Sequence, residues 1–312
     1  VTSPFANSLI LTGPTGSGKT ALALALAERL NAEIIAADSM TLYRGMDIGT
    51  AKPTADEQAR VRHHLLDVLD PSESASVGWW LERAAECVAD IERRGKTALF
   101  VGGTPFYLKA LLCGLFPSPP SDQQLRRELE THAETNGNEA LHAELAAVDP
   151  ESARRLHPND VRRVVRALEV FRLTGRPLSD WQQQQWWGGE SPRFRPGSCL
   201  ALDLPRPDLY ARINKRVENM FASGWVEEVR QLRERQYPLS REASQALGYR
   251  EIAQFLDGKR TPEATIEEVK LRTRQFAKRQ LTWFRALPGC EYCDAKLTFE
   301  RWSDRMSGFS GR

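Results

Sequence analysis

The sequence predicts an α/β protein: a P-loop core with a parallel sheet flanked by helices, interrupted by an all-helical insertion domain. Three observations carry that expectation. The run Gly13-Pro14-Thr15-Gly16-Ser17-Gly18-Lys19-Thr20 follows the apolar stretch Leu9-Ile10-Leu11 and opens an Ala/Leu-rich segment, Ala21 to Leu30. Short apolar runs alternate with helical patterns through the first third of the chain. Beyond the break Pro117-Ser118-Pro119-Pro120-Ser121, helical periodicity continues without a convincing strand.

The first buried strand is expected over Ser8–Thr12, the second over Glu33–Ala37 and the third over Thr97–Val101. Helical patterns at Thr20–Leu30 and Val77–Arg94 lie between them, as crossovers in a parallel sheet require. Gly102-Gly103-Thr104 ends the third strand and Pro105–Leu112 reads as a helix. In the next stretch, Asp122 to about Trp187, the clearest helix runs from about Asn159 to Arg172, with Val161, Val164, Val165, Leu168 and Phe171 on one stripe. The run Trp181 to Gly189 is compositionally odd and is left unassigned. Cys199–Leu204 reads as a return strand, and a long helix is expected from about Pro262 to Ala286. The implied domains are 1–116 (core, first part), 117–189 (helical insertion) and 190–312 (core, second part, mostly helical).

Composition narrows the classes. With 312 residues, 41% of them hydrophobic, the chain can fill one large core plus an insertion. The net charge of +2 means that any nucleic-acid surface must come from local clustering. No run approaches the roughly 18 apolar residues of a membrane span, and no basic start precedes an apolar stretch, so a cytoplasmic protein is expected. Its 5 cysteines are sparse and odd in number, which suits reduced thiols. Cys290 and Cys293 form a lone C-x-x-C without the further ligands of a zinc site. Trp79-Trp80, Trp225 and Trp283-Phe284 are expected in the core.

Strand, glycine-rich loop and helix in that order make a phosphate cradle. Gly13, Pro14, Thr15, Gly16, Ser17 and Gly18 would wrap an anion at the positive end of a helix, the residues other than Pro14 turning backbone N–H groups inward. Lys19 adds a formal charge, and Thr20 can hold a Mg²⁺ that bridges phosphates. The second strand ends in Ala37-Asp38-Ser39. Ligands of open α/β sheets bind at the carboxyl ends of strands, so Asp38 is expected to face the cradle as a general base. A cap for the following segment or a partner in the magnesium shell is the alternative. Leu65-Leu66-Asp67 is a second acidic candidate. These features alone also suit a small-molecule or nucleoside kinase using ATP.

The segment Asp38-Ser39-Met40-Thr41-Leu42-Tyr43-Arg44-Gly45-Met46-Asp47-Ile48-Gly49-Thr50-Ala51-Lys52-Pro53 resembles the signature of the tRNA dimethylallyltransferases, also called tRNA isopentenyltransferases. His63-His64-Leu65-Leu66-Asp67 with Asp70-Pro71-Ser72-Glu73, then Gly102 to Leu111, Arg162 to Glu169, Ala246 to Arg250 and Arg274 to Gln280 resemble further blocks, in order. Many members carry Gln where this chain has Thr41. The short bacterial-type form is the expected one.

The resemblance implies transfer of a dimethylallyl group from dimethylallyl diphosphate to the exocyclic amine of the adenosine 3′-adjacent to the anticodon. It implies Asp38 as base, Thr104 positioning the acceptor, and Arg216 or Arg212 on the diphosphate, with Arg216 favoured. Arg212 and Arg216 share a helix face that Leu209, Ile213, Val217 and Met220 complete with an apolar side, and a solvent-facing arginine pair is the alternative. Contact with the tRNA anticodon stem-loop is implied for Asp38, Ser39, Met40, Thr41, Thr104, Arg126, Arg162, Arg163, Val164, Val165, Arg166, Gly248, Tyr249, Arg250, Arg274, Gln275, Lys278 and Arg279. Lys270, Arg274 and Lys278 also form an i, i+4, i+8 basic row. Expected partners are tRNA and the allylic donor, with Mg²⁺ as cofactor and no membrane; a monomer is expected.

Overall fold

The structure is a computed structural model describing residues 3–115, 119, 121–183 and 193–307. It divides into two compact units, one comprising Val1–Leu112 with Arg193–Arg312 and the other Cys113–Pro192. The proline-rich break and the Trp186-Trp187 stretch fall largely or wholly outside the described residues.

The first unit holds a sheet. In chain order its elements are β1 (Leu9–Thr12), α1 (Lys19–Arg29), β2 (Ala32–Ala36), α2 (Ala55–Arg60), β3 (His63–His64), α3 (Val77–Arg93), β4 (Thr97–Val101) and α4 (Pro105–Cys113). The strands line up as β3-β2-β4-β1, and every neighbouring pair is parallel. After the second unit the chain supplies β5 (Cys199–Leu202) and later β6 (Cys290–Cys293), which extend the sheet beyond β1 in the same sense. The three first-third strands lie within a residue of the expected bounds. The two-residue β3 and the polar β6 carry too little apolar signal to be read from sequence.

Both sheet faces are covered, so the strands read as continuous apolar runs whose alternate residues serve different cores. Ile10, Ile35 and Phe100 pack in one core with Trp80 and Val88 of α3. Their chain neighbours Leu11, Ile34 and Leu99 pack in the other with Leu24 and Leu26 of α1. Trp80 also donates its indole N–H to Ala36 O (3.1 Å) and stacks on Tyr107 of α4.

The chain leaves β1 toward β2 on one side and later fills β5 on the other. That reversal opens a crevice at the carboxyl end of β1, the usual ligand position in such sheets. The helices after β5 are α10 (Arg206–Ala222), α11 (Trp225–Arg233), α12 (Arg241–Ser244), α13 (Tyr249–Leu256), α14 (Pro262–Arg285) and α15 (Ala295–Ser307), separated by β6 between α14 and α15. Among the described residues no helix is long and apolar enough to cross a membrane.

The second unit is helical: α5 (Gln123–Asn136), α6 (Asn138–Val148), α7 (Pro150–Arg155), α8 (Val161–Thr174) and α9 (Leu178–Gln183). Leu129, Leu141, Leu145, Val164, Val165 and Leu168 form its core. Val164 and Val165 therefore turn their side chains into this core, at 0% and 3% exposure, and not toward solvent where RNA would meet them. Glu169, wholly buried, accepts from Arg126 Nε (2.9 Å) and Arg166 NH1 (2.5 Å) and from the Asp122 backbone N–H. Two of the basic residues implied for RNA thus hold an internal carboxylate, while Arg162 and Arg163 are exposed.

Candidate active site

The loop after β1 is shaped by its glycines: Gly16 and Gly18 take φ of 82° and 93°, in the left-handed region that other residues avoid. α1 then begins at Lys19 with no side chain capping it and no acidic residue in its first turn. Its leading N–H groups and partial positive charge are left for an anion. The Ser17 hydroxyl is buried without a partner inside the same loop, a polar atom that a bound anion would satisfy.

Lys19 Nζ donates to Gly13 O (2.7 Å) and Pro14 O (2.8 Å). Burial pushes its ammonium down to about 7, the nearby Arg216 guanidinium pushes the same way, and Asp38 partly offsets both. Burial likewise lowers the Arg216 guanidinium, again with Asp38 opposing. Loop, α10 and the end of β2 therefore bring Lys19, Arg216 and Asp38 into one electrostatic neighbourhood. The solvent-facing alternative fails for Arg216, which is half-buried, whereas Arg212 is exposed. Arg212 still reaches the loop, its NH1 lying 3.7 Å from where a Gly18 side chain would begin. Leu209, Ile213 and Val217 of the same helix are buried, with Ile213 against Gly16.

Asp38 lies two residues past the end of β2, and its Oδ1 accepts the Met40 N–H at 2.9 Å. The carboxylate thus caps the turn that follows it, and both readings offered for it are compatible. Thr104 follows β4, the strand between β2 and β1. Its Oγ1 accepts the Ser39 N–H at 3.0 Å, and its own N–H donates to Ala37 O at 3.2 Å. The acid-bearing and hydroxyl-bearing strand ends are stitched together beside the cradle. Gln280 of α14 joins the cradle from behind: its Oε1 accepts the Thr15 N–H at 2.8 Å. This glutamine closes the family-like block Arg274 to Gln280, but nothing in the local sequence gave it a role or a partner.

Other expected residues do different work. Thr41 is buried. Asp67 is turned to Lys52, whose Nζ also meets Asp47 and Tyr43 O, so it is no metal partner for the loop. Gly248 and Tyr249 are buried around Trp225: a side chain on Gly248 would meet the indole at 2.0 Å, and one on Gly49 at 2.2 Å. Tyr249 donates to Glu228 (2.6 Å), which also accepts the N–H groups of Asp47, Ile48 and Gly49. These residues hold the segment after Asp38 in place and offer RNA no side-chain surface. Arg250 is paired with the buried Glu251. On α14, Arg274 donates to Asn214 (2.6 Å) and Lys270 is paired to Glu218 and Glu267, while Gln275, Lys278 and Arg279 are exposed. Trp283, expected in the core, is 38% exposed with Lys109 over its ring, because α14 turns that side outward while Phe284 is buried.

The family profile described as IPP transferase matches residues 41–287, and one described as isopentenyl transferase matches residues 7–70. The chain is 51% identical over 279 residues to a tRNA dimethylallyltransferase of Geobacter metallireducens, covering 89% of each chain. It is 45% identical to that of Geobacter sulfurreducens, covering 97% of this chain and 96% of the relative. Among solved structures, the full-length tRNA isopentenylpyrophosphate transferase of Bacillus halodurans aligns with TM-score 0.68 at 37% identity over 98% of this chain and all of that one. A eukaryotic dimethylallyltransferase acting on tRNA aligns with TM-score 0.78 at 30% identity over 98% of this chain and 77% of that one. None of these relatives supports the kinase alternative. The chain belongs to the IPP transferase family, that of the tRNA dimethylallyltransferases.

Proposed function

We propose that this enzyme is a prenyltransferase that moves a dimethylallyl group from dimethylallyl diphosphate to the exocyclic amine of the adenosine 3′-adjacent to the anticodon of tRNA. The observation that carries the reading is the convergence of Lys19, Arg216 and Asp38 at adjoining strand ends, with Thr104 tied to the residue after Asp38.

The diphosphate would sit on the Gly13–Thr20 loop against Lys19 and Arg216, with Arg212 at the rim. As the C–O bond to diphosphate breaks, negative charge grows on the departing oxygens, where preorganised N–H groups and cations stabilise it. The adenine amine is a weak nucleophile because its lone pair is delocalised into the ring. Asp38 accepts its proton as the N–C bond forms, and Thr104 orients the amine. The base must leave its stack to reach this corner, at a cost of a few kcal/mol. Protein cations offset that cost, and the exposed Arg162 and Arg163 on α8, with Lys278 and Arg279 on α14, are the candidates.

Among the described residues no cluster of three or more His, Cys, Asp or Glu could hold a metal. The exposed Thr20 hydroxyl in the first turn of α1 instead fits a Mg²⁺ that takes most of its ligands from diphosphate and water. When bound, Mg²⁺ supplies Lewis-acid stabilisation to the leaving group. We place the reaction in the cytoplasm and the enzyme as a monomer.

The test is incubation with dimethylallyl diphosphate and bulk tRNA, followed by mass analysis of anticodon-loop nucleosides. A prenylated adenosine beside the anticodon is expected. Unmodified tRNA, or label entering from ATP alone, overturns the reading.

A further inference from the structure

Gln280 lies in the basic stretch Lys278-Arg279-Gln280, whose first two residues are exposed, yet it is only 2% exposed itself. A buried primary amide needs partners at both ends. Here both are backbone groups from different parts of the catalytic crevice. Oε1 accepts the Thr15 N–H in the cradle (2.8 Å), and Nε2 donates to Gly103 O (2.7 Å), the residue before Thr104. The seat is cut to fit: a side chain on Gly103 would begin 2.5 Å from Nε2. Carrying donor and acceptor on one planar group is a property of Gln and Asn, and Asn is a methylene shorter.

We propose that Gln280 is a positioning residue that fixes the spacing between the diphosphate cradle and the acceptor corner, a proposal that rests on the reading of those two half-sites given above. Through Thr15 it sets the tip of the loop and withdraws that N–H from the anion. Through Gly103 it sets the Thr104 corner, whose hydroxyl holds Ser39 and so the chain beside Asp38. Alkyl transfer needs the reacting carbon and nitrogen about 3–3.5 Å apart, and a misplacement of about 1 Å costs roughly a hundredfold in rate. One side chain bonded to both halves has that leverage without touching either substrate.

The test compares wild type, Gln280→Met and Gln280→Glu. The Met variant keeps the length and loses both hydrogen bonds. The Glu variant keeps an acceptor for Thr15 and loses the donor to Gly103, so it remains informative where Met does not fold. Turnover is expected to fall about a hundredfold for Met and about tenfold for Glu, with half-saturating donor and tRNA concentrations within about threefold of wild type. Amide hydrogen exchange is expected to quicken in peptides spanning 13–18 and 101–106 and not in α3. Turnover within threefold of wild type overturns the proposal. So does a retained turnover with a tenfold weaker donor, which would make Gln280 a binding residue only. If the wild type makes no prenylated adenosine, the reading of function falls, and the exchange measurement still decides the clamp: unchanged exchange in both peptides overturns it.

Discussion

The cations of the cradle and the cations of the scaffold are treated in opposite ways. Lys19 uses its hydrogen bonds on two backbone carbonyls, and Arg216 feels Asp38 at a distance; among the described residues neither forms an ion pair. Elsewhere, buried charge is neutralised on the spot. Glu33 is held by Arg94, His64 and Lys96, Glu169 by Arg126 and Arg166, and Lys52 by Asp47 and Asp67. The first arrangement is costly by itself, as the depressed Lys19 ammonium reports. A dianion entering the loop removes that cost, so positive charge left without a carboxylate marks where substrate belongs. The scaffold clusters hold elements together and ask for no ligand.

The widest gap between the two classes is expected at Asp38. Asp38→Ala should lower turnover about a thousandfold, the span of a positioned general base, while tRNA affinity changes less than about threefold. Its readout is single-turnover prenylation alongside filter binding. A tRNA affinity that falls as far as the rate would move Asp38 from chemistry to RNA binding.

Glu169 supplies the converse. It is wholly buried and takes four hydrogen bonds, two from Arg126, one from Arg166 and one from the Asp122 backbone N–H. Glu169→Ala leaves two guanidiniums without their carboxylate, and a loss of about 3 kcal/mol is expected in urea unfolding. Lys19→Ala, removing a cation from the other class, should leave unfolding within about 1 kcal/mol of wild type or raise stability. Equal losses from both substitutions would erase the distinction.

The distinction was only partly legible in the sequence. The loop, Asp38 and Thr104 were readable because each ends or follows a short apolar run, and chain order brings such ends to one edge of a parallel sheet. The i, i+4 spacing put Arg212 and Arg216 on one face but could not say which is half-buried, since that depends on how α10 lies against the loop. For single polar side chains that act at long range, no local pattern names the partner. Gln280 reaches Thr15 across 265 positions, and Glu228 reaches Gly49 across 179. Family-like blocks also mix purposes: within Arg162 to Glu169, two valines fill a core and one arginine holds Glu169, leaving Arg162 and Arg163 outside.

Acid sharpens the scaffold half of the comparison. Burial alone would raise the Glu33 carboxyl, but hydrogen bonds from Arg94, His64 and Lys96 outweigh it and bring it down to about 2. A carboxyl lowered on folding contributes its stability in full above its unfolded value near 4.5 and loses it as pH falls toward 2. The advantage of wild type over Glu33→Gln in thermal unfolding should be roughly 2 kcal/mol at neutral pH and shrink below about pH 4. A difference that stays constant down to pH 3 would mean that the three partners hold Glu33 by shape alone.

The smallest effect separates two kinds of basic residue on the faces read as meeting RNA. Lys278 is exposed on α14, whereas Arg126 gives its guanidinium to Glu169. Each phosphate that a cation neutralises contributes about one to the slope of log affinity against log salt. Lys278→Ala should therefore flatten that slope by about 1 and weaken tRNA binding by roughly 1 kcal/mol. Arg126→Ala should leave the slope alone and register in unfolding, because its charge is already matched inside the helical unit. If Arg126→Ala changes the slope as much as Lys278→Ala, an ion-paired arginine meets phosphate after all, and internal pairing ceases to separate scaffold cations from those that meet substrate.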